Sequence, residues 1–280
     1  MKVIIAGGTG LIGKALTKSL FEDGHEVTVL SRSAVAPAGF PGGAHVVRWN
    51  GKSPDGWGHL VNEADALVNL AGANLSGGRW TERRKQVILS SRVNAGRAFV
   101  QALEQAEQLP AVLVQASGVG HYGVENSALL DEKTPPGNDF LAAISKEWED
   151  STQAVEALGV RRVILRSGVV LSKEGGALGL MLLPFKLFVG GPLGKGDQWL
   201  SWVHIEDEVR AIRFLIENHA AHGPFNISAE PITNAQFART AGKLMQRPSF
   251  IRVPAFMLRL VLGEMSTMVL DGQRASSKKL

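Results

Sequence analysis

The sequence predicts an α/β protein built on a doubly wound parallel sheet, with a smaller lobe toward the C-terminal end. In the first half of the chain, short apolar runs alternate with longer helical patterns. A glycine-rich turn lies between the first apolar run and the first helical pattern, and the alternation ends at Leu171, after which glycine and proline become frequent. Strands separated by helices of this length form parallel sheets that helices cover on both faces. Together these observations predict a Rossmann-type fold.

Each element is predicted from the period and the boundaries of its own segment. Apolar runs predict strands at 2–6, 26–31, 44–49, 66–70, 111–117 and 162–171. Helical patterns predict helices at 11–23, 81–107, 139–158, 207–218, 234–245 and 255–262. We divide the chain into a nucleotide-binding domain, residues 1–171, and a mainly substrate-side lobe, residues 172–280. A strand near 202–206 is expected to return from this lobe to the main sheet.

The composition is that of a globular protein, and it excludes several kinds of chemistry. Of 280 residues, 45% are hydrophobic and 20% are charged. The chain has no cysteine, which excludes disulfides, thiolate catalysis and cysteine-ligated metals. The His, Asp and Glu spacings match no common ligand pattern, so no metal site is predicted. No segment resembles a membrane span or a signal peptide, so a cytoplasmic protein is expected.

The charge pattern indicates what kind of partner to expect. The formal net charge of +4 is small, and acidic residues are spread through the chain. The cluster Arg83-Arg84-Lys85 is interpreted as a solvated helix face rather than a nucleic-acid surface. We therefore expect a small-molecule substrate and no nucleic-acid or membrane partner. A mild positive balance suits an anionic ligand that carries phosphate.

The glycine-rich turn predicts a dinucleotide site. Strand, turn and helix follow one another directly, as in the first βαβ unit of a dinucleotide-binding fold. Glycines permit the tight turn and the close approach of backbone to pyrophosphate, and the amides at the helix start point at the phosphates. The alternative is a glycine-rich turn without a ligand. The predicted contacts are Gly7, Thr9, Gly10, Leu11, Ile12 and Gly13.

The end of the second strand predicts which dinucleotide binds. An acidic residue there would hydrogen-bond the ribose 2′-hydroxyl of NAD. This chain instead has Ser31-Arg32-Ser33. A guanidinium flanked by hydroxyls suits a 2′-phosphate through charge-assisted hydrogen bonds. NADP is therefore predicted over NAD, and the alternative is an ordinary exposed arginine after a strand.

Several motifs carry a resemblance to a known family. The spacing Gly-x-x-Gly-x-x-Gly resembles that of the extended short-chain dehydrogenase/reductases, which include sugar-nucleotide epimerases and dehydratases. The further motifs are Asn69-Leu70-Ala71-Gly72, Arg79-Trp80-Thr81-Glu82, Gly190-Gly191-Pro192-Leu193-Gly194, Trp202-Val203-His204-Ile205, Gly263-Glu264-Met265 and Gly272-Gln273-Arg274. Together they resemble an atypical, epimerase-like branch of the NAD(P)-dependent epimerase/dehydratase family, with a C-terminal segment of unassigned function. The resemblance covers essentially the whole chain, and members of the branch continue beyond its last residue.

The resemblance implies further cofactor contacts. Leu70 and Ala71, at the end of the fourth strand, and Arg92, on the long helix, are implied to contact the cofactor. For Arg92 the alternative is a salt bridge on the helix surface. Val170 is implied to lie near the nicotinamide. Dimers formed through paired long helices are common in the superfamily, so the resemblance also allows a homodimer.

The residues that carry catalysis in the wider superfamily are only partly present. The resemblance implies a Tyr-x-x-x-Lys pair on one helix face, in which lysine lowers the pKa of tyrosine for proton transfer. Here Lys146 is present, but Ala142 stands at the tyrosine position. The single tyrosine, Tyr122, lies in a loop flanking the cleft, and Ser117 is the hydroxyl nearest the required strand end. The catalytic candidates are Ser117, Tyr122 and Lys146; Tyr122 is alternatively a pocket wall, and Lys146 a surface residue or a contact of the nicotinamide ribose.

Two histidines and one loop are further candidates. His121 and His204 are further candidates for proton transfer, because histidine is the residue type used for that role near neutral pH. For His204 a structural role, bonded to the backbone or to Asp207, is the preferred interpretation. The loop at 190–196 is either a hinged lid over a substrate or an ordinary connection.

Two functions stay open from the sequence. The first is an NADP-dependent oxidoreductase or epimerase that acts on a small hydroxyl- or carbonyl-bearing molecule through a nonstandard proton donor. The second, favoured by Ala142, is an NADP-binding sensor or assembly partner without turnover. We lean toward an enzyme.

Overall fold

The computed structural model describes residues 1–36, 40–41, 43–124 and 128–280. The strands are β1 (Lys2–Ala6), β2 (Glu26–Ser31), β3 (His45–Arg48), β4 (Ala66–Asn69), β5 (Val112–Gly118), β6 (Leu129–Leu130), β7 (Arg161–Ser167), β8 (Val169–Ser172), β9 (Gly175–Gly176), β10 (Trp199–Leu200), β11 (Trp202–His204), β12 (Gly223–Ile227), β13 (Ile232–Thr233) and β14 (Arg274–Ala275). The α-helices are α1 (Leu11–Glu22), α2 (Glu82–Glu104), α3 (Phe140–Asp150), α4 (Ala177–Lys186), α5 (Ile205–Glu217), α6 (Asn234–Met245), α7 (Ala255–Leu262) and α8 (Thr267–Leu270).

Seven strands form one parallel sheet in the order β12-β7-β5-β4-β1-β2-β3. The chain begins in the interior of this sheet at β1, proceeds to one edge at β3, and then returns past β1 toward the other edge at β12. The strand order therefore reverses between β1 and β4, and in such sheets ligands bind at the carboxyl ends of the strands beside this point. The doubly wound α/β fold predicted from the sequence is confirmed.

Helices cover both faces of the sheet. On one face α1 and α5 pack against the strands, with Leu16 and Ile212 fully buried. On the other face α2 supplies Phe99 and Leu103, which pack with Trp57. Since each central strand is buried on both sides, its residues form a continuous apolar run rather than an alternating pattern.

The strand predicted at 162–171 is two strands, β7 and β8, separated by Gly168. A Cβ atom on Gly168 would lie 2.7 Å from the carbonyl oxygen of Ser201, so this glycine allows another segment to pack directly on the backbone. β7 stays in the main sheet between β5 and β12, whereas β8 joins β11 and β9 in a separate three-stranded sheet. An apolar run alone does not reveal such a change of partner.

The helix predicted at 139–158 is also interrupted. α3 ends at Asp150, and a 3-10 helix, Gln153–Leu158, follows. At the interruption the Ser151 Oγ donates to the carbonyl oxygen of Trp148 at 2.6 Å, a local bond of the kind that bends helices. Gly96 of α2 packs against the same turn, where a Cβ atom would lie 1.9 Å from Ser151 Oγ. Tertiary packing against α2 therefore divides the helix.

The strand expected near 202–206 does not return to the main sheet. It is β11, which pairs with β8 so that Val203 lies opposite Val170. The edge position beside β7 is occupied by β12 instead, with Phe225 opposite Leu165. Gly223 and Pro224 obscured this strand in the sequence, although proline is tolerated in an edge strand. Residues 172–280 thus contribute a strand to the main sheet, but from a different segment, and the division at residue 171 stays a prediction.

None of the described helices combines the length and the apolar character that crossing a bilayer requires. Within the same residues, no group of three or more His, Asp or Glu side chains is placed to hold a metal ion.

Candidate cofactor and active site

The glycine loop has a shape that only glycine permits at two positions. Gly7 has a φ angle of 76°, and a Cβ atom on it would lie 2.7 Å from the carbonyl oxygen of Leu70 and 3.1 Å from the amide nitrogen of Ala71. A Cβ atom on Gly13 would lie 2.3 Å from the carbonyl oxygen of Gly7. The loop therefore packs tightly against the end of β4. This contact brings the predicted cofactor residues Leu70 and Ala71 beside the loop.

The loop leaves the start of α1 available to an anion. Gly10 is the N-cap of α1, and no side chain caps the helix. The first amides of a helix have no intrahelical acceptors, and no acidic residue occupies the first turn of α1. Thr9, Leu11 and Ile12 are half-buried around these amides. A pyrophosphate fits this arrangement, because the helix N-terminus carries partial positive charge and open donors.

Ser31, the last residue of β2, and Arg32 after it lie next to this loop. β2 pairs with β1 so that Leu30 lies opposite Ala6, the residue before the loop. Arg32 is exposed and forms no ion pair with any residue in the part of the chain that the structure describes. Its guanidinium therefore has open hydrogen-bonding capacity beside the glycine loop.

Arg92 is a buried cation, and the described residues provide it with no carboxylate. Its side chain is 7% exposed, donates from Nη1 to the carbonyl oxygen of Ala73 at 3.0 Å, and lies 4.8 Å from the ring centre of Trp148. Burial, with a smaller effect of Arg84, lowers the pKa of Arg92 to about 10, so the group stays charged at neutral pH. A Cβ atom on Gly72 would lie 3.1 Å from the guanidinium carbon. Arg92 thus contacts the segment after β4 next to the glycine loop, rather than forming a surface salt bridge.

Val170 lies close to the start of α1. It is half-buried in β8, and β8 forms a hairpin with β9. A Cβ atom on Gly176 of β9 would lie 2.7 Å from Leu11 Cδ2 and 3.7 Å from the carbonyl oxygen of Val170. The structure therefore brings Val170 and the predicted phosphate-binding residues to the same edge of the molecule.

Ser117 and Tyr122 are both buried, and both donate hydrogen bonds to protein groups. Ser117 Oγ donates to Glu149 Oε1 at 2.6 Å, and Tyr122 Oη donates to Asn226 Oδ1 at 2.6 Å. Burial raises the pKa of Tyr122, and the hydrogen bond and charge of Arg166 offset this only in part. The phenol therefore keeps its proton over a wide pH range.

Lys146 lies on the outer face of α3. The buried residues of this helix include Ala142, Ser145 and Glu149, whereas the Lys146 side chain is 55% exposed. Its Nζ lies 2.5 Å from Asp150 Oδ2, and this hydrogen bond raises the pKa of Lys146. The structure does not bring Lys146 together with Ser117 and Tyr122.

An ion pair between Glu149 and Arg166 connects the two buried hydroxyls. Arg166 Nε and Nη2 donate to the two carboxylate oxygens at 3.0 and 2.9 Å, and Arg166 Nη1 donates to Tyr122 Oη at 3.2 Å. Burial alone would raise the pKa of Glu149, but the neighbouring His121 and Arg166 outweigh it and lower this pKa to about 2. With Ser117 bound to the same carboxylate, the network joins β5, α3 and β7. Sequence reasoning missed Glu149 and Arg166 as network residues.

The signal for Glu149 was present in the helix pattern. Ala142, Ser145 and Glu149 recur at the three- and four-residue spacing of one helix face. A carboxylate on the buried face of a helix requires a buried partner. The position of Arg166 in an apolar strand gives the matching signal.

Glu208 is a second buried carboxylate, near the start of α5. It is 1% exposed, its Oε1 accepts from Ser167 Oγ at 2.6 Å, and its Oε2 has no donor among the described residues. Burial raises the pKa of Glu208 to about 7, and the hydrogen bond from Ser167 lowers it by less. Ser167 is the last residue of β7, so this group also lies at the carboxyl end of the sheet.

The two histidines take different positions. His121 is buried, and its Nδ1 lies 3.3 Å from Glu149 Oε1 outside the geometry of a good hydrogen bond. His204 is exposed and caps α5, where its Nδ1 accepts from the Glu206 amide at 3.4 Å. The preferred structural interpretation of His204, bonded to the backbone, agrees with this contact.

Residues 253–280, which we call the C-terminal segment, cross the carboxyl end of the sheet. Lys85 at the start of α2 pairs with Glu264 at 2.6 Å. At the other side, Asn226 of β12 donates from Nδ2 to the carbonyl oxygen of Ser276 at 3.0 Å. The segment therefore spans from α2 to the far edge of the main sheet.

The C-terminal segment also contacts the loop at 190–196, which we considered above as a hinged lid. The Gly194 amide donates to the carbonyl oxygen of Val253 at 2.8 Å, and the Val253 amide donates to the carbonyl oxygen of Pro192 at 3.0 Å. A Cβ atom on Gly191 would lie 2.1 Å from the carbonyl oxygen of Ile251. In this structure the loop at 190–196 is bound to the neighbouring backbone.

Comparison with known proteins places the chain in a family. Residues 3–228 match the NAD dependent epimerase/dehydratase family, and residues 253–280 match a domain of unknown function, DUF1731. The chain is 40% identical over 283 residues to Epimerase family protein YfhF of Bacillus subtilis, covering 100% of this chain and 91% of that protein. It is 43% identical over 281 residues to Epimerase family protein SH2119 of Staphylococcus haemolyticus, covering 99% and 91%.

Solved structures agree with this result. The human epimerase family protein SDR39U1 (isoform 2), determined with NADPH, is similar with a TM-score of 0.85 and 35% identity, over 100% of this chain and 92% of that one. UDP-glucose 4-epimerase of Thermotoga maritima has a TM-score of 0.79 over 100% and 91%, and at 16% identity it supports the fold alone. The chain belongs to the NAD dependent epimerase/dehydratase family, whose nucleotide-binding fold it has, and its C-terminal segment is the DUF1731 domain.

Proposed function

We propose that the protein is an NADP-dependent oxidoreductase or epimerase that acts on a small hydroxyl- or carbonyl-bearing substrate. The observation that carries the proposal is the cradle at the start of α1. Positions 7 and 13 admit only glycine, and the helix amides beside them are uncapped. Such a backbone surface accepts a pyrophosphate closely.

The preference for NADP rests on Arg32. Its exposed guanidinium has no carboxylate partner among the described residues, and Ser31 lies beside it at the end of β2. A related human protein of this family was determined with NADPH, which supports the same choice. Arg92 adds a buried positive charge on the other side of the glycine loop.

When bound, the nicotinamide would supply hydride transfer. The chain's own residues would bind and orient it: the loop holds the pyrophosphate, Arg32 the 2′-phosphate, and Val170 lies on the side proposed for the nicotinamide. Ser117 and Tyr122 are proposed as positioning groups, because their hydroxyls are joined to the Glu149–Arg166 pair. The position of Lys146 does not support a catalytic role. The proposal also includes a cytoplasmic location, no nucleic-acid or membrane partner and, from the resemblance alone, a homodimer.

The proposal is tested by titrating the protein with NADPH and with NADH. Arg32→Ala is expected to weaken NADPH binding by about tenfold or more and to leave NADH binding nearly unchanged, since only NADPH has the 2′-phosphate. Arg239→Ala, an exposed arginine on α6, is the matched control. Tighter binding of NADH than of NADPH by the unmodified protein would contradict the preference. Absence of binding by either would contradict the cofactor site.

A further inference from the structure

The motif Gly272-Gln273-Arg274 lies at the carboxyl end of the sheet, and the proposed cofactor site does not use it. Its backbone is held on both sides. Gln273 Nε2 donates to the carbonyl oxygen of Gly123 at 2.7 Å, and Ser201 Oγ donates to the carbonyl oxygen of Gln273 at 2.8 Å. The Ala275 amide donates back to Ser201 Oγ at 2.9 Å. Arg274 is therefore presented from a fixed piece of backbone.

The guanidinium of Arg274 lies over the indole ring of Trp199. Its guanidinium carbon lies 4.5 Å from the ring centre of Trp199. A Cβ atom on Gly272 would lie 1.9 Å from the carbonyl oxygen of Trp199, so the two backbones are in direct contact there. A guanidinium that lies over an aromatic ring is attracted to it by a cation–π contact, which restricts the position of the cation without using its N–H donors.

The hydrogen-bonding groups of Arg274 have no protein acceptor in the part of the chain that the structure describes. Its Nε is buried without a partner, and the side chain makes no salt bridge. Each of the other buried or half-buried arginines has at least one carbonyl or carboxylate acceptor; they are Arg84, Arg92, Arg161, Arg162, Arg166 and Arg213. A buried donor without an acceptor costs free energy, so the unpaired Nε of Arg274 requires an explanation, and a bound ligand is one.

Arg274 lies at the same end of the main sheet as the glycine loop. Ser201, which holds its backbone, packs its own carbonyl oxygen on Gly168 at the end of β7. Two residues after Ser201 and two residues after Gly168, Val203 pairs with Val170. Val170 lies near Leu11 at the start of α1. Arg274 and the cofactor loop are thus separated by the small sheet of β8 and β11, along the edge where doubly wound proteins bind their ligands.

We propose that Arg274 is a substrate-binding residue that recognises an anionic group, a carboxylate or a phosphate, and that the C-terminal segment is the element that supplies this recognition. This inference rests on the proposed function. The planar fork of N–H donors on a guanidinium matches the two oxygens of either group. The C-terminal segment thereby acquires a role that its description as a domain of unknown function does not assign.

The test measures anion binding by calorimetry to the full chain saturated with NADPH. One arm uses inorganic phosphate and methyl phosphate, and the other uses acetate and malonate. Arg274→Met is expected to weaken binding in one arm by about tenfold or more, and Arg274→Lys, which keeps the charge but loses the planar fork, by less. Arg252→Met, an exposed arginine beside the same segment, is the control and is expected to bind as the unmodified protein does.

The arm that responds identifies the anion. Equal affinity of Arg274→Met and the unmodified protein, or no binding in either arm, would overturn the proposal. A loss of NADPH affinity in Arg274→Met would also overturn it, because Arg274 would then belong to the cofactor. If the unmodified protein binds no NADPH, the proposed function fails, and the titrations without cofactor still decide whether Arg274 binds anions. If Arg274→Met does not fold, Arg274→Lys takes its place. A several-fold loss of anion affinity in Arg274→Lys would support the proposal, and an unchanged affinity would overturn it.

Discussion

The glycine loop and the polar network beneath the expected catalytic residues lie at the same end of the sheet, yet they use their polar groups in opposite ways. Beside the loop, the first amides of α1 are uncapped, and Arg32, which follows β2, has no carboxylate partner among the described residues. In the network Ser117, Glu149 and Arg166 bind one another. The loop has free hydrogen-bonding capacity for a ligand, whereas the network uses its capacity to hold β5, α3 and β7 together.

This difference teaches where ligand binding can be inferred from structure. Uncapped helix amides offer hydrogen-bond donors to an anion, and a nearby exposed cation without a carboxylate partner attracts it further, so together they indicate a binding site. Paired groups indicate stability instead, even when their residue types suggest catalysis. Ser117 and Tyr122 are of this second kind, and their substitution is therefore expected to affect folding as well as turnover.

The largest expected effect is on the network. Glu149→Ala leaves Arg166 buried without its counter-ion, which costs about 3–5 kcal/mol of unfolding free energy. Urea denaturation at neutral pH measures it. Glu147→Ala, on the exposed face of the same helix, is the control and is expected to change stability by about 0.5 kcal/mol or less. A loss below about 1 kcal/mol in Glu149→Ala would show that the network is not what holds these elements.

The next effect concerns Glu208, the incompletely paired carboxylate. Its pKa rises from 4.5 to about 7 on folding, so the folded protein retains a proton that the unfolded chain loses. The free energy of unfolding should therefore fall as the pH rises from 4.5 to about 7, by roughly 3 kcal/mol, and change little from this group above that range. Glu208→Gln should remove this dependence. Denaturation of both proteins between pH 5 and pH 8 checks it, with Glu206→Gln as the exposed control, and equal pH slopes would refute it.

A smaller effect tests the loop. Gly13→Ala places a Cβ atom where it would lie 2.3 Å from the carbonyl oxygen of Gly7, so the loop must shift. We expect a destabilisation of about 1–3 kcal/mol together with loss of most NADPH affinity. Gly179→Ala in α4, where a Cβ atom meets nothing within 4 Å, is the control. Unchanged NADPH binding in Gly13→Ala would mean that the loop does not hold the cofactor.

The smallest effect is expected at Lys146. Its ion pair with Asp150 is exposed, so Lys146→Ala should alter stability by about 0.5 kcal/mol or less. NADPH affinity should be the same in Lys146→Ala and in the unmodified protein. A clear loss of affinity would return Lys146 to the site and reduce the contrast between the two regions.

Much of the fold could be predicted because local pattern and global fold agree there. The bounds of β2, α6 and α7 match the sequence prediction to the residue, since each has a clear period and clear ends. The divided strand at Gly168 could not be predicted, because pairing with a distant segment decides it. The edge strand β12 was missed because Gly223 and Pro224 are weak strand formers, and contact with β7 outweighs that preference.

The candidate site likewise has a part that the sequence predicts and a part that only the tertiary structure decides. The sequence by itself determined the glycine loop that we propose as the cofactor site, because strand, glycine spacing and helix are consecutive and the loop is shaped by their backbone. Which side chains face inward was decided only by the tertiary structure. It turned Lys146 outward, buried Glu149 against Arg166, and placed Arg274 across the end of the sheet without an acceptor in the described chain. These outcomes depend on contacts between residues far apart in sequence, and no local pattern records such contacts.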